Sequence, residues 1–111
     1  MTTIYLATLG GAPDPVFRPI STLSDLAQII LFASPESEEK AGSEIASLTP
    51  KPLIVHTPDF NDLTRCYRAF RQTILGLLQT GADSQNILCN ITGGTKPMSA
   101  ALMMLATEFQ L

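Results

Sequence analysis

Short apolar, β-branched runs alternate with longer stretches of helical spacing along the whole chain. Thr3 to Leu9 (Thr-Ile-Tyr-Leu-Ala-Thr-Leu) is nearly continuous in apolar residues, as in a central parallel strand covered on both faces, and it stops at Gly10-Gly11. Asp14 as N-cap and Pro15 as first helical residue then predict a helix. Pro19 shortens or kinks it, because a proline in the fifth helical position removes a hydrogen bond, and its extent through Leu26 stays open. Gln28 to Ala33 predicts a second buried strand. Ser34-Pro35-Glu36 starts a helix running to about Leu48, with Ala41, Ile45 and Leu48 on its inner stripe. Glu36, Glu38, Glu39, Lys40 and Glu44 fall mostly elsewhere, as solvated surface. Pro50 and Pro52 bracket the way to a third strand, Leu53 to His56, and Thr57-Pro58-Asp59 turns the chain.

The next helix has the clearest period. Leu63, Cys66, Tyr67, Phe70, Ile74, Leu77 and Leu78 share one face, with Asp59 or Asn61 as cap and Gly81 as stop. A fourth strand over Asn86 to Ile91 leads to a last helix in which Met98, Ala101, Leu102, Leu105 and Phe109 recur at helical spacing. Strand and helix thus alternate, with connections short enough for right-handed crossovers. The expectation is an α/β fold: a Rossmann-like, doubly wound parallel sheet of order 3-2-1-4 with helices on both faces. That order sets the carboxyl ends of strands one and four side by side, where such sheets bind ligands. The turns Leu9-Gly10-Gly11-Ala12-Pro13 and Thr92-Gly93-Gly94-Thr95-Lys96 are therefore expected to line one crevice.

The second of these turns carries the chemistry. In Asn90-Ile-Thr-Gly-Gly-Thr-Lys-Pro-Met-Ser-Ala-Ala101, two glycines can take positive φ and let a ligand approach the backbone closely. The helix that follows opens with N–H groups lacking an internal partner, which favours an anion; Thr92 and Thr95 add hydroxyls, Lys96 a positive charge, and Pro97 is tolerated in the first turn. An ordinary strand-to-helix turn with a threonine N-cap reads the same residues without a ligand.

Composition narrows the partner. The 111 residues make one domain with 45% hydrophobic and 15% charged residues, and a formal net charge of −3 gives no diffuse positive field to draw in DNA or RNA. A polyanion would have to be held by a local pocket, which favours a small ligand. The two cysteines, Cys66 and Cys89, lack C-x-x-C or zinc spacing and are expected in the core. There is no basic, apolar leader and no run approaching a membrane span, so a cytoplasmic location is expected, with no membrane partner. His56 reads as structural or solvent-facing. Arg65, Arg68 and Arg71 read as a solvated helix face or as an anion-binding stripe.

Thr92-Gly93-Gly94-Thr95-Lys96-Pro97-Met98 resembles the signature turn after the fourth strand of the CARF domain, the CRISPR-associated Rossmann-fold module. The resemblance is specific in wording and short in extent. It implies a homodimer binding a cyclic oligoadenylate second messenger, of four or six adenylates, across its two-fold axis as a sensor domain in type III CRISPR antiviral signalling. Some members also cleave the ring. Carried over, the ligand-binding set is Leu9, Gly10, Gly11 and Ala12 from the first turn and Asn90, Thr92, Gly93, Gly94, Thr95, Lys96 and Met98 from the second.

Enzymatic signatures are otherwise sparse: there is no G-x-S-x-G, no G-x-x-x-x-G-K-[ST] and no G-x-G-x-x-G, and no clustered carboxylates or histidines for a metal. No cofactor or metal is expected. Ring cleavage would then be metal-independent, the ring's own 2′-hydroxyl attacking the adjacent phosphate, with Thr92, Thr95 and Lys96 as candidate catalytic residues. A different class stays open: a small α/β domain holding a mononucleotide or sugar phosphate in the same crevice. The last helix is apolar on more than the face a sheet covers, so a dimer interface or a further strand and helix is expected there. A missing C-terminal part, including an effector domain, is compatible with both.

Overall fold

The computed structural model describes residues 3–57 and 59–111. β1 (Thr3–Leu9) is the central strand, paired in parallel with β2 (Leu26–Ala33) on one side and β4 (Ile87–Asn90) on the other. β3 (Leu53–His56) joins the far edge of β2, also in parallel, so the order is β3-β2-β1-β4 as the sequence predicts. β1 and β3 have the expected bounds. β2 starts two residues earlier than expected, at Leu26, and β4 is shorter than Asn86 to Ile91, because Ser84–Asn86 forms a 3₁₀ turn.

Period-two alternation sends successive residues of the inner strands to opposite faces. Leu6, Ile30 and Phe32 face α4 (Leu63–Gln79) and α5 (Lys96–Phe109), packing on Cys66, Phe70, Ile74, Met98, Ala101, Leu102 and Leu105. Phe32 and Phe70 stack with ring centroids 4.1 Å apart, pinning α4 to the sheet. On the other face Tyr5, Ala7, Leu9, Ile29, Leu31 and Ala33 meet Val16 of α1 (Asp14–Phe17), Ile20 of the 3₁₀ turn behind it, and Ala41 between α2 (Pro35–Lys40) and α3 (Gly42–Ala46). Both faces of the sheet are thus covered by helices.

Three expectations about helix ends are corrected. Asp14 is the first helical residue of α1, not its cap: Pro13 takes the cap position, and the Asp14 carboxylate lies 4.0 Å from Arg18 one turn on. The single helix from Ser34 to Leu48 is two short ones, because the chain leaves helical geometry at Ala41 (φ −97°, ψ 15°) ahead of Gly42, and it ends by Ala46. α4 is capped by Asp62, whose side chain accepts from the Arg65 N–H at 3.0 Å, rather than by Asp59 or Asn61. Gly81, at φ 100°, sits just past its end as expected. Pro58, in the turn after β3, lies outside the described residues. No described helix is long and apolar enough to cross a membrane.

Candidate functional site

The register Ala7↔Asn90 brings the carboxyl ends of β1 and β4 within two residues of each other, so the two glycine turns leave the sheet side by side. A Cβ built on Gly10 would lie 2.7 Å from the backbone nitrogen of Gly94, closer than real Cβ atoms come, so the turns meet as bare backbone. Gly94 holds φ +82°, which side chains rarely adopt. Beneath them the Thr8 hydroxyl donates to the Gly93 carbonyl at 2.7 Å, and Ser99 of α5 donates to the same oxygen at 2.9 Å. One peptide group is thereby gripped by both the central strand and the last helix.

Asn90 ties the second turn to the first helix. Its amide donates to the Tyr5 hydroxyl at 2.8 Å and to the Pro15 carbonyl at 2.9 Å, while its oxygen accepts from the N–H and the hydroxyl of Thr92 at 3.0 and 2.6 Å. Tyr5 passes the link on by donating to the Val16 carbonyl at 2.5 Å, and burial pushes its phenol up, opposed by the Asn90 hydrogen bond. Thr95 is the N-cap of α5, accepting from the Met98 N–H at 3.4 Å and donating to the Phe60 carbonyl. Lys96 opens the helix from an exposed position, with Pro97 behind it. Positive charge and the positive end of the helix dipole therefore coincide at this edge.

Between the turns lies a cleft of about 210 Å³. Leu9, Gly10 and Gly11 line it from the first turn and Gly94, Thr95 and Met98 from the second, six of the residues expected from the sequence. The other five do not line it: Gly93 is buried beneath, Asn90 and Thr92 bond each other, and Ala12 and Lys96 are exposed outside its wall. Five further lining residues escaped the sequence reading: Ser34, Glu36, Ser37 and Lys40 around the start of α2, and Phe60 after β3. The first four had a signal. β2 is the other neighbour of β1, so the helix start following it opens onto the same edge of the sheet. Phe60 had none, being the product of the loop after an edge strand.

The remaining candidates lie elsewhere. His56 is exposed and bonded to Glu38 of α2. Arg65 pairs with Asp59 at 3.5 Å, Arg71 with Glu108 at 3.1 Å, and Arg68 is exposed, so the arginine stripe is partly taken up by acidic neighbours. Cys66 is buried and Cys89 half-buried, both as free thiols, and burial pushes the Cys89 thiol up to about 11. Among the described residues, no group of three or more His, Cys, Asp or Glu is placed to hold a metal ion.

Comparison with protein-family models and with curated proteins returns no match. The fold has a solved counterpart: Can2 from Sulfobacillus thermosulfidooxidans, a CARF-domain protein in complex with cyclic tetra-adenylate, matches at a TM-score of 0.74 and 18% identity, over 96% of this chain. The fold is CARF-like. The chain spans 30% of the length of Can2. Within the CARF-like fold, the cleft sits at the topological switch point between β1 and β4.

Proposed function

We propose that the chain is a sensor domain that binds a cyclic oligoadenylate as a homodimer, in type III CRISPR antiviral signalling. The observation that carries this reading is the backbone contact of Gly10 with Gly94, which leaves a cleft walled by peptide groups at the switch point of a CARF-like sheet. Can2, which shares the fold, binds cyclic tetra-adenylate. Exposed Lys96 and the amino end of α5 stand at the same edge and suit a phosphate, which a chain of net charge −3 must hold by local rather than global attraction. A ring of identical nucleotides presents the same groups to two copies of one cleft, so a two-fold dimer suits it. The apolar outer flank of α5, with Met103 57% and Met104 49% exposed, is the surface such a dimer would cover.

Binding stands ahead of cleavage in this proposal because the Thr92 and Thr95 hydroxyls, the groups proposed to orient a ring hydroxyl, each donate to an acceptor within the protein. Isothermal titration of the chain with cyclic tetra- and hexa-adenylate, followed by chromatography of the recovered ligand, tests the reading. One intact ring per two chains supports it. A linear product replaces sensor by ring nuclease. No binding of either ring overturns both in favour of a mononucleotide or sugar phosphate.

A further inference from the structure

We propose that the Glu36–Lys40 pair at the wall of the cleft reads the base edge of the ligand, selecting an amino-purine over an oxo-purine. This rests on the cyclic oligoadenylate reading. The cleft is not uniformly suited to phosphate. Its lining from the two turns is mostly flat peptide and apolar side chain, Gly10, Gly11 and Gly94 with Leu9 and Met98; Thr95 also lines it, its hydroxyl donating to the Phe60 carbonyl, and Phe60 adds an aromatic ring. Such walls suit a planar heterocycle, which proteins hold by stacking on aromatic side chains and by hydrogen bonds to its Watson–Crick edge. The charged lining comes from the third element, the start of α2. There Glu36 and Lys40, one helical turn apart, place a carboxylate oxygen 3.2 Å from an ammonium.

A carboxylate is acceptor-only and an ammonium donor-only. Side by side they complement a base edge that offers a donor next to an acceptor, and adenine offers its exocyclic amino group next to the N1 lone pair. Hypoxanthine inverts both positions, with a carbonyl oxygen in place of the amine and a protonated N1. The Glu36 charge also makes this wall a poor one for phosphate, which leaves the phosphates to the side of Lys96 and the amino end of α5. Ser34 and Ser37 hold the pair's base in place: the Ser34 oxygen accepts from the Ser37 N–H at 3.2 Å and caps the helix that carries both residues.

The test is a titration of wild type, Glu36→Gln and Lys40→Ala with cyclic tetra-adenylate and with the same ring carrying hypoxanthine in place of adenine. Wild type is expected to prefer the adenylate ring by about ten-fold or more, the scale of one charge-assisted hydrogen bond that is solvent-accessible. Glu36→Gln is expected to weaken adenylate binding about ten-fold and bring the two rings near parity, and Lys40→Ala to weaken the adenylate ring similarly. Both side chains are exposed, so neither variant is expected to lose the fold. If Glu36→Gln keeps the preference, or tightens both rings alike as removal of a charge opposing phosphate would, the base-reading role is overturned. Equal wild-type affinity for the two rings overturns this role and leaves the ligand class standing. Binding of neither ring overturns the ligand class, and the base-reading role with it.

Discussion

Gly10 and Gly94 touch through their backbones, and the space a Cβ would need on Gly10 is already taken by the Gly94 nitrogen at 2.7 Å. The neighbouring Gly11 has nothing within 4 Å of the same construction. Gly10→Ala should therefore cost about 1–3 kcal/mol, as overpacking does, and Gly11→Ala no more than about 0.5 kcal/mol. Urea unfolding of the two variants measures the contrast. Equal effects would mean that the turns are not in backbone contact.

The Gly93 carbonyl takes two hydroxyl donors, Thr8 and Ser99. Thr8→Val keeps the shape of a fully buried side chain and removes one donor, and it is expected to lower stability by about 1 kcal/mol. The double variant with Ser99→Ala strips the carbonyl of both hydroxyl donors. It should cost more than the two single losses together, a coupling of about 0.5 kcal/mol or more for groups sharing one acceptor. A double-mutant cycle by chemical denaturation reads it.

Asn90 spends its amide hydrogens on Tyr5 and Pro15 and its oxygen on Thr92. Asn90→Asp exchanges two donors for an acceptor facing the Pro15 carbonyl. An expected loss of about 2 kcal/mol corresponds to a fall of roughly 10 °C in Tm for a domain of this size. Thermal unfolding at neutral pH checks it, and an unchanged Tm would remove Asn90 from the link between β4 and α1.

The proposed dimer places its contact on the outer flank of α5. Met103→Lys with Met104→Lys adds charge where both methionines are exposed, so the monomer should keep its fold while the dimer dissociation constant rises about a hundred-fold or more. Sedimentation velocity, with circular dichroism as the fold control, distinguishes loss of assembly from loss of structure.

Alkaline pH should destabilise the protein through its buried thiols and the Tyr5 phenol. Burial raises the Cys89 pKa from 9.0 to about 11, and it raises Cys66 and Tyr5 in the same direction. A group with a raised folded pKa gives stability that is complete below its unfolded pKa and lost as pH climbs to the folded one. Stability is thus expected to hold up to about pH 8.5 and to fall above 9, with about 2 kcal/mol of the loss due to Cys89 by pH 11. Cys89→Ala should make that decline shallower without abolishing it, since Cys66 and Tyr5 remain.

The strand pattern was legible because both faces of β1 and β2 are buried, so Thr3–Leu9 and the core of Leu26–Ala33 had to be almost wholly apolar. The alternation of strand and helix implies the order 3-2-1-4, and that order alone sets the turns of Gly10 and Gly94 side by side. Helix boundaries were less legible. Ser34 advertises the start of α2, but nothing at Ala41-Gly42 separates a break from a tolerated glycine, and Asp59, Asn61 and Asp62 are equally good caps until the loop is built. The site was readable where it is backbone and misread where polar side chains turn inward. Asn90 and Thr92 have the chemistry of ligand contacts, yet each other's atoms satisfy them. Phe60 reaches the cleft through the loop after β3, for which the sequence holds no periodic signal.

Thr8 and Gly93, bonded across the floor of the cleft, are 85 positions apart. Contacts of such sequence separation require closure of a long loop before they are rewarded, and β1 cannot gain its β4 partner until residues through Asn90 have been synthesised. The pocket therefore forms only after β4 has been made, and a nascent chain that stops short of β4 would carry its first glycine turn with nothing opposite. Occupancy of the cleft in turn would act as a clasp on the sheet, because any ligand gripping both turns stabilises only chains in which β1 and β4 have already met.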